Sequence, residues 1–365
     1  MLETLWAMRV PGLALAGFLC LAGTALAQTD QTDLDHPASH VRAPDKVLLN
    51  AITTAGSRLV AVGEHGVISY SDDEGKSWRQ ASVPVDVLLN AVTFADPLEG
   101  WAAGHFGVVL HTSDGGETWQ KQLDGNQVNR LALQAAQEAT LQNSGLPTAP
   151  LAMRRAAMFS GIGPNKPFLA IDARNRSDIL VIGAYRLADR STDGGKTWQD
   201  MSLYFADRLS HNLYDIAELG PATYVAAETG LVFRSTDGGV TFSQVTAPTT
   251  ATLFGVLGTG DGGILVYGVA GTAFISHDDG NSWHAIQAGD VNITGGVAMK
   301  SGAVLLANEA GALYISWDNG VTFKVFPKII PMAVSGLAET PDGAVAIVGS
   351  GGVMVLPATE FRKAS

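Results

Sequence analysis

Cysteine occurs once in 365 residues, at Cys20 within an apolar N-terminal run. A single thiol excludes a disulfide framework and a cysteine-based metal site. Charge is also sparse. Charged residues make up 16% of the chain, and 35 acidic side chains against 23 basic ones leave a formal net charge of −12. That sign repels phosphate backbones and anionic lipid, which argues against nucleic acid as a partner and against electrostatic docking on a membrane surface. After the N-terminal run no stretch of 18 apolar residues recurs, so no further membrane span is expected. G-x-S-x-G, H-E-x-x-H and P-loop motifs are absent. GTGDGG at residues 258–263 matches G-x-G-x-x-G in form, but it lies in a hairpin between two predicted strands with no helix behind it. The dinucleotide reading fails on that context.

The N-terminal run reads as an export signal. Residues 10–21 are apolar apart from Pro11 and Gly12, and Ala25-Leu26-Ala27 is the small-x-small pattern cut by signal peptidase. At about a dozen residues the run is too short to cross a bilayer. Glu3 offsets Arg9 in the leader, whereas a start at Met8 gives the cleaner MRVPGLALAGFLCLAG. Leu19 stands before Cys20 where a lipid-anchor signal needs a small residue, so no lipid anchor is expected. Residues 1–27 are therefore predicted to be a signal peptide and residues 28–365 a soluble, cysteine-free, secreted domain, with the periplasm as its compartment.

What fills that domain is a repeat. The turn SDDEGKSW recurs as TSDGGETW, STDGGKTW, STDGGVTF, SHDDGNSW and SWDNGVTF. Its aspartates, Asp73, Asp114, Asp193, Asp237, Asp278 and Asp318, follow one another at about 40 residues, with one interval of 79 between Asp114 and Asp193. A period near 40 with short alternating apolar segments and glycine turns predicts four-stranded propeller blades. Residues 334–358 repeat the first three strands but carry no box, giving seven units. The expected fold is all-β, a seven-bladed β-propeller, with a segment between His36 and Val47 supplying the missing strand of blade seven. Both ends of the mature domain would then lie in that blade.

The repeated turn has a local logic. Its aspartate can accept bonds from the backbone of its own turn, its glycine permits positive φ, and its final aromatic (Trp78, Trp119, Trp198, Phe242, Trp283 or Phe323) starts the fourth strand. The alternating ligands and closing glutamate of a calcium loop are missing, so the turn is read as a structural hairpin lock. Candidate functional residues lie instead on the turns between second and third strands: GEHG, GHFG, GAYR, AETG, GVAG, NEAG and GSGG. This ring carries Glu64, His65, His105, Phe106, Tyr185, Arg186, Glu228 and Glu309, which vary on a constant scaffold as a binding face does. His65 and His105 occupy equivalent turns of adjacent blades, but two histidines without a third ligand do not make a metal site. No metal and no cofactor are expected.

The long interval adds about 39 residues between Asp124 and Pro167, on the same face. Val128, Leu131, Ala132, Ala135, Ala136 and Ala139 fall at helical spacing, predicting an amphipathic helix over residues 127–142, stopped at Asn143-Ser144-Gly145. Arg154 and Arg155 follow between apolar flanks. An insertion of this length suits a cap over the channel mouth or a docking element for another protein.

Ser/Thr-x-Asp-x-Gly-x-Ser/Thr-Trp/Phe matches the Asp-box of BNR repeats in all six copies. With the leader, the seven units and runs such as AVGEHGVISYSDDEGKSW, the chain resembles the photosystem II stability/assembly factor-like family of sialidase-like propellers. The resemblance implies a non-catalytic lumenal or periplasmic factor that helps membrane-complex subunits assemble, with a protein partner in an integral membrane or envelope complex. The competing reading is a glycosidase or glycan-binding propeller that uses two of Glu64, Glu228 and Glu309. Sialidases, which share the box, also carry a Phe/Tyr-Arg-Ile-Pro segment absent here.

Overall fold

The computed structural model describes residues 34–141, 149–245 and 249–362; the predicted export signal and the predicted stop at Asn143-Ser144-Gly145 lie outside these residues. The described residues form seven antiparallel sheets in sequence order, six of four strands and a last one of three. Their innermost strands are Leu49–Ala55, Leu89–Phe94, Phe168–Ala173, Leu213–Leu219, Leu253–Gly258, Ile293–Ala298 and Val334–Glu339. Each packs on the next, and the seventh packs back on the first, so the sheets close into a seven-bladed ring.

Second strands are buried along both faces, as in Arg58–Gly63 (RLVAVG), because each blade is covered by a neighbour on either side. Leu59 and Ala61 pack toward Ala346 and Val348 of blade seven. Val60 and Val62 pack toward Ala102 and Leu110 of blade two. Alternation thus reads as continuous apolarity wherever both faces are interior.

Each box forms the expected lock. In blade three the Ser191 hydroxyl donates to Asp193 Oδ1 at 2.8 Å and accepts the Gly195 N–H at 2.7 Å. Asp193 also accepts the Thr197 backbone N–H at 2.9 Å and the Thr197 hydroxyl at 2.6 Å, and the Trp198 indole donates to the Gly195 carbonyl at 3.1 Å. These bonds hold the Asp193 carboxyl down at about 2, the Thr197 hydroxyl contributing most. Asp73 and Asp278 are held at about 2 in the same way by Ser77 and Ser282. Every box carboxylate is saturated by its own turn.

Blade seven departs from the expectation. Residues 36–47 form no strand, and the third strand of that blade, Gly352–Leu356, receives a single backbone bond from the segment, Val353 N to Asp45 O at 2.9 Å. The N-terminal segment runs along blades one and two instead. Ala38 N donates to Val83 O at 3.0 Å, and the Lys121 ammonium donates to Leu34 O at 2.9 Å. Toward the other end of the described residues, Phe361 stacks on Phe326 of blade six at 5.4 Å. Closure falls to the innermost strands, where the Ser335 hydroxyl donates to Leu49 O at 3.1 Å. Asn50 to Leu89 O, Asn90 to Phe168 O and Thr294 to Val334 O place the same bond at the equivalent position of other blades. Local side-chain bonds along the channel wall make a fourth outer strand unnecessary for closing the ring.

The insertion is a helical hairpin, α1 (Gly125–Leu141) and α2 (Ala149–Ile162). Ala136 of α1 and Ala152 and Ala156 of α2 meet over Leu203 of blade three, all buried. Small residues allow the two helices to approach closely and to lie flat on the blade. Helix α1 covers the predicted helical span over residues 127–142 to within two residues, whereas α2 carries only a weak 3.6-residue stripe and was not predicted.

Candidate partner-binding site

Five of the seven ring turns share one backbone. In blades one to five the middle residue adopts left-handed φ: His65 53°, Phe106 56°, Tyr185 56°, Thr229 57° and Ala270 53°. The next residue is also left-handed, and in blades one, two, four and five it is glycine. The reason is steric. A Cβ on Gly66 would stand 2.0 Å from Val85 O, and one on Gly230 would stand 1.8 Å from Thr249 O, both carbonyls of the link to the next blade. In blade three the same place holds Arg186, at φ 58° and 3% exposed. A left-handed arginine is strained, and such strain concentrates at functional positions.

Above Arg186 lies the helical hairpin. The Arg155 guanidinium on α2 donates to Tyr185 O at 3.1 Å and to the Ser210 hydroxyl at 3.0 Å. Phe159 of α2 lies 5.7 Å from the Tyr185 ring, and the Lys166 ammonium stands 4.5 Å from the Phe159 centroid. A cleft of about 310 Å³ opens between hairpin and ring, lined by Arg155, Arg186 and Arg208 together with Leu151, Met158, Tyr185 and Leu209. Its apolar rim is open to solvent: Tyr185 is 53% exposed and Leu209 79%. Burial lowers Arg186 to about 10, and Arg155 beside it adds to the effect. Burial, with the same neighbour, brings Lys166 to about 8. Cations that depress one another in a half-dry cleft make a strong attraction for an anion.

Beneath the arginines are acids. Asp189 and Asp200 face each other across the third and outer strands of blade three, and both are buried. Burial pushes both carboxyls up, and for Asp189 the neighbouring Asp200 pushes further. Asp207 behaves oppositely. Burial opposes its ionisation, but the N–H groups of Leu209 and His211 hold it below the ordinary carboxylate range.

The structure thus brings Arg155, Tyr185 and Arg186 of the sequence candidates together. Arg154 is exposed and does not line this cleft. His65, Glu64, His105 and Phe106 line a separate groove of about 430 Å³ between blades one and two, where His65 Nδ1 stands 2.9 Å from Asp86. Burial lowers His105. Among the described residues no group of three or more acidic, histidine or cysteine side chains is placed to hold a metal. Glu64, Glu228 and Glu309 sit on blades one, four and six, each tied within its own blade. Glu64 accepts from Leu48 N at 3.1 Å, Glu228 from Asn212 N at 3.1 Å and Glu309 from Asn292 Nδ2 at 3.1 Å. They brace the entry of their own blades. Arg208, Asp189, Asp200 and Asp207 escaped the sequence reading because only the fold brings residues 186–211 under residues 151–159; the αL turn carrying arginine instead of glycine, GAYR, was the one available signal.

Ring, boxes and cleft define an Asp-box β-propeller with a helical insertion over the ring turn of blade three. The model of the family described as photosynthesis system II assembly factor YCF48 matches residues 71–142 and 161–364, and the chain belongs to that family. Over 178 residues it is 25% identical to the photosystem II assembly lipoprotein Ycf48 of Synechococcus sp. (strain CC9902), a match covering 47% of this chain and 53% of that protein, so it spans about half of that relative. A 48-residue stretch is 44% identical to the chloroplastic photosystem II stability/assembly factor HCF136 of Cyanidioschyzon merolae (strain NIES-3377 / 10D), covering 13% of this chain and 11% of that protein. Among solved structures, YCF48 bound to D1 peptide superposes with a TM-score of 0.63 at 19% identity, covering 87% of this chain and 95% of that one. The WD40 propeller domain of Doa1 gives 0.60 at 9% identity, covering 89% and 95%; these likenesses concern the fold.

Proposed function

We propose that this protein is a non-catalytic assembly scaffold that holds a polypeptide segment of a membrane complex in the cleft between α2 and the ring turn of blade three. The observation that carries the reading is the convergence of Arg155, Arg186 and Arg208 with exposed Leu151, Met158, Tyr185 and Leu209 on one wall. On a chain of net charge −12 a cleft with three guanidiniums is a local inversion of sign, and it selects a segment with acidic and apolar side chains. Family membership and its relatives, an assembly lipoprotein and a propeller bound to a peptide, agree with this reading.

We place the protein in the periplasm on the strength of the export signal predicted for residues 1–27, and there it would meet membrane-protein segments emerging from the bilayer. No described helix is long and apolar enough to cross a membrane. The test is affinity capture from detergent-solubilised envelope with the tagged protein and an Arg155→Glu variant, followed by cross-link mapping. A membrane protein cross-linked to Arg155, Tyr185 or Leu209 neighbours and lost with the variant supports the reading. Equal recovery with both, or cross-links confined to the box face, sinks it.

A further inference from the structure

In and beneath the cleft lie more ionisable groups than an anion site needs, and several have nothing to bond. Nε and Nη1 of Arg186, both carboxylate oxygens of Asp189 and Oδ2 of Asp200 are buried without a hydrogen-bond partner. Buried polar atoms in folded proteins are paired almost without exception, so such a group marks a place where something else belongs. Asp200 Oδ1 alone is satisfied, by the Ser202 N–H at 3.1 Å and hydroxyl at 2.7 Å.

Geometry joins the two aspartates. As directly opposed residues of an antiparallel pair, Asp189 and Asp200 project from the same face of the sheet, with Cβ atoms about 5 Å apart. Two carboxylates so placed in a dry interior ionise together only where the cations around them offset the second charge. The charges around them come from every element packed there: Arg155 from α2, Arg186 from the ring turn, Asp207 and His211 from the link to blade four, and Lys166 at the foot of the hairpin beside Arg155. With one proton on the pair, Asp207 and the pair balance Arg155 and Arg186.

We infer that Asp189 and Asp200 are positioning residues that carry a proton for the cleft, so that an acidic partner segment docks on Arg155 and Arg186 together with the uptake of one proton. This rests on the docking reading above and adds its regulation. A carboxylate arriving on the guanidiniums withdraws the positive field that lets the second aspartate ionise. The pair then binds a proton more tightly, and the unpartnered Nε and Nη1 of Arg186 gain an acceptor. The sign follows from linkage. Because the bound state holds more protons than the free state, affinity falls as pH rises through the titration of the pair.

The experiment is isothermal titration calorimetry of the whole protein with a synthetic hexapeptide of glutamate and leucine in equal parts, between about pH 5 and about pH 9, in phosphate and in Tris. Its counterpart with glutamine for glutamate is the control. The expected result is binding of the acidic peptide only, proton uptake seen as a buffer-dependent heat, and affinity falling by up to about tenfold per pH unit. Asp200→Asn and Asp189→Asn replace one carboxyl by its neutral isostere. Each is expected to melt no lower than the parent, to abolish the uptake and to bind more tightly than the parent at high pH. The coupling is read as the difference between the parent and variant pH profiles. Binding with a flat pH profile, or a slope unchanged in both variants, overturns the proton coupling alone. No binding of the acidic peptide at any pH overturns the docking reading with it.

Discussion

Ser335 and Leu49, 286 residues apart, meet at 3.1 Å where the last blade joins the first. The hydroxyl of one donates to the carbonyl of the other, and the bond repeats what Thr294 does toward Val334 between blades six and seven. Because blade seven has only three strands, this inner contact and the packing of Ala338, Ala346 and Val348 on Leu49 and Leu59 fasten the ring.

Ser335→Ala should therefore lower stability by about 1 kcal/mol, the usual worth of such a bond. Asn90→Ala, removing the bond to Phe168 O, is the comparison at a blade joined through covalent continuity. Urea unfolding followed by tryptophan fluorescence measures both. If closure is the weak point, Ser335→Ala will also raise the unfolding rate more than Asn90→Ala does.

The box aspartates predict an acid limb. Asp73, Asp193 and Asp278 sit at about 2 in the folded chain against 3.8 ordinarily, so their stabilisation is complete above the unfolded value and disappears as pH falls through the folded one. The parent should lose stability between about pH 4 and about pH 2. Asp193→Asn should start lower at neutral pH and lose less over that window, measured as urea midpoints at the two ends. An identical acid limb in parent and variant would refute the assignment.

Arg186 separates fold from function. Four sister turns carry glycine at its left-handed position, so Arg186→Gly should fold with an unchanged circular dichroism spectrum while capture of the envelope partner falls at least about tenfold, the scale of one charge-assisted bond. A variant that folds and captures the partner normally would exclude the guanidinium from the site.

The hairpin depends on small residues. Ala156→Glu places a carboxylate against Ala136, Ala152 and Leu203, and burying it unpaired costs more than such an interface returns, roughly 2 kcal/mol or more. Hydrogen exchange should quicken in α1 and α2 while the blade strands keep their protection. Loss of protection throughout the blades would show that the insertion is integral to the ring.

The three glutamates of the ring make the opposite prediction. Glu228→Gln keeps an acceptor for Asn212 N, so partner capture should be unchanged. Release of a chromogenic glycoside by the parent but not by Glu228→Gln or Glu64→Gln would instead restore the glycosidase reading.

Much of this was legible from the chain alone, because the information is local and repeated. The box spells out its own bonds within eight residues, the 40-residue period sets the blade, and the GAYR turn stood among its glycine-bearing sisters. Helix α1 was visible through the spacing of Val128, Leu131, Ala135 and Ala139, whereas α2 lacks a clear stripe because Ala152 and Ala156 bury little against alanine and leucine. The missing outer strand was misplaced for a related reason: a repeat tells how many strands a blade has, and nothing in residues 36–47 tells where an unrepeated tail will find its bonds. The sequence by itself determined the strands, the boxes and the ring of variable turns, since each is fixed by neighbours within a few residues. Only the tertiary structure decided that Ser335 closes on Leu49 and that Arg155, Arg186 and Arg208 surround one cleft over Asp189 and Asp200, because those contacts join segments that meet only once the blades have packed.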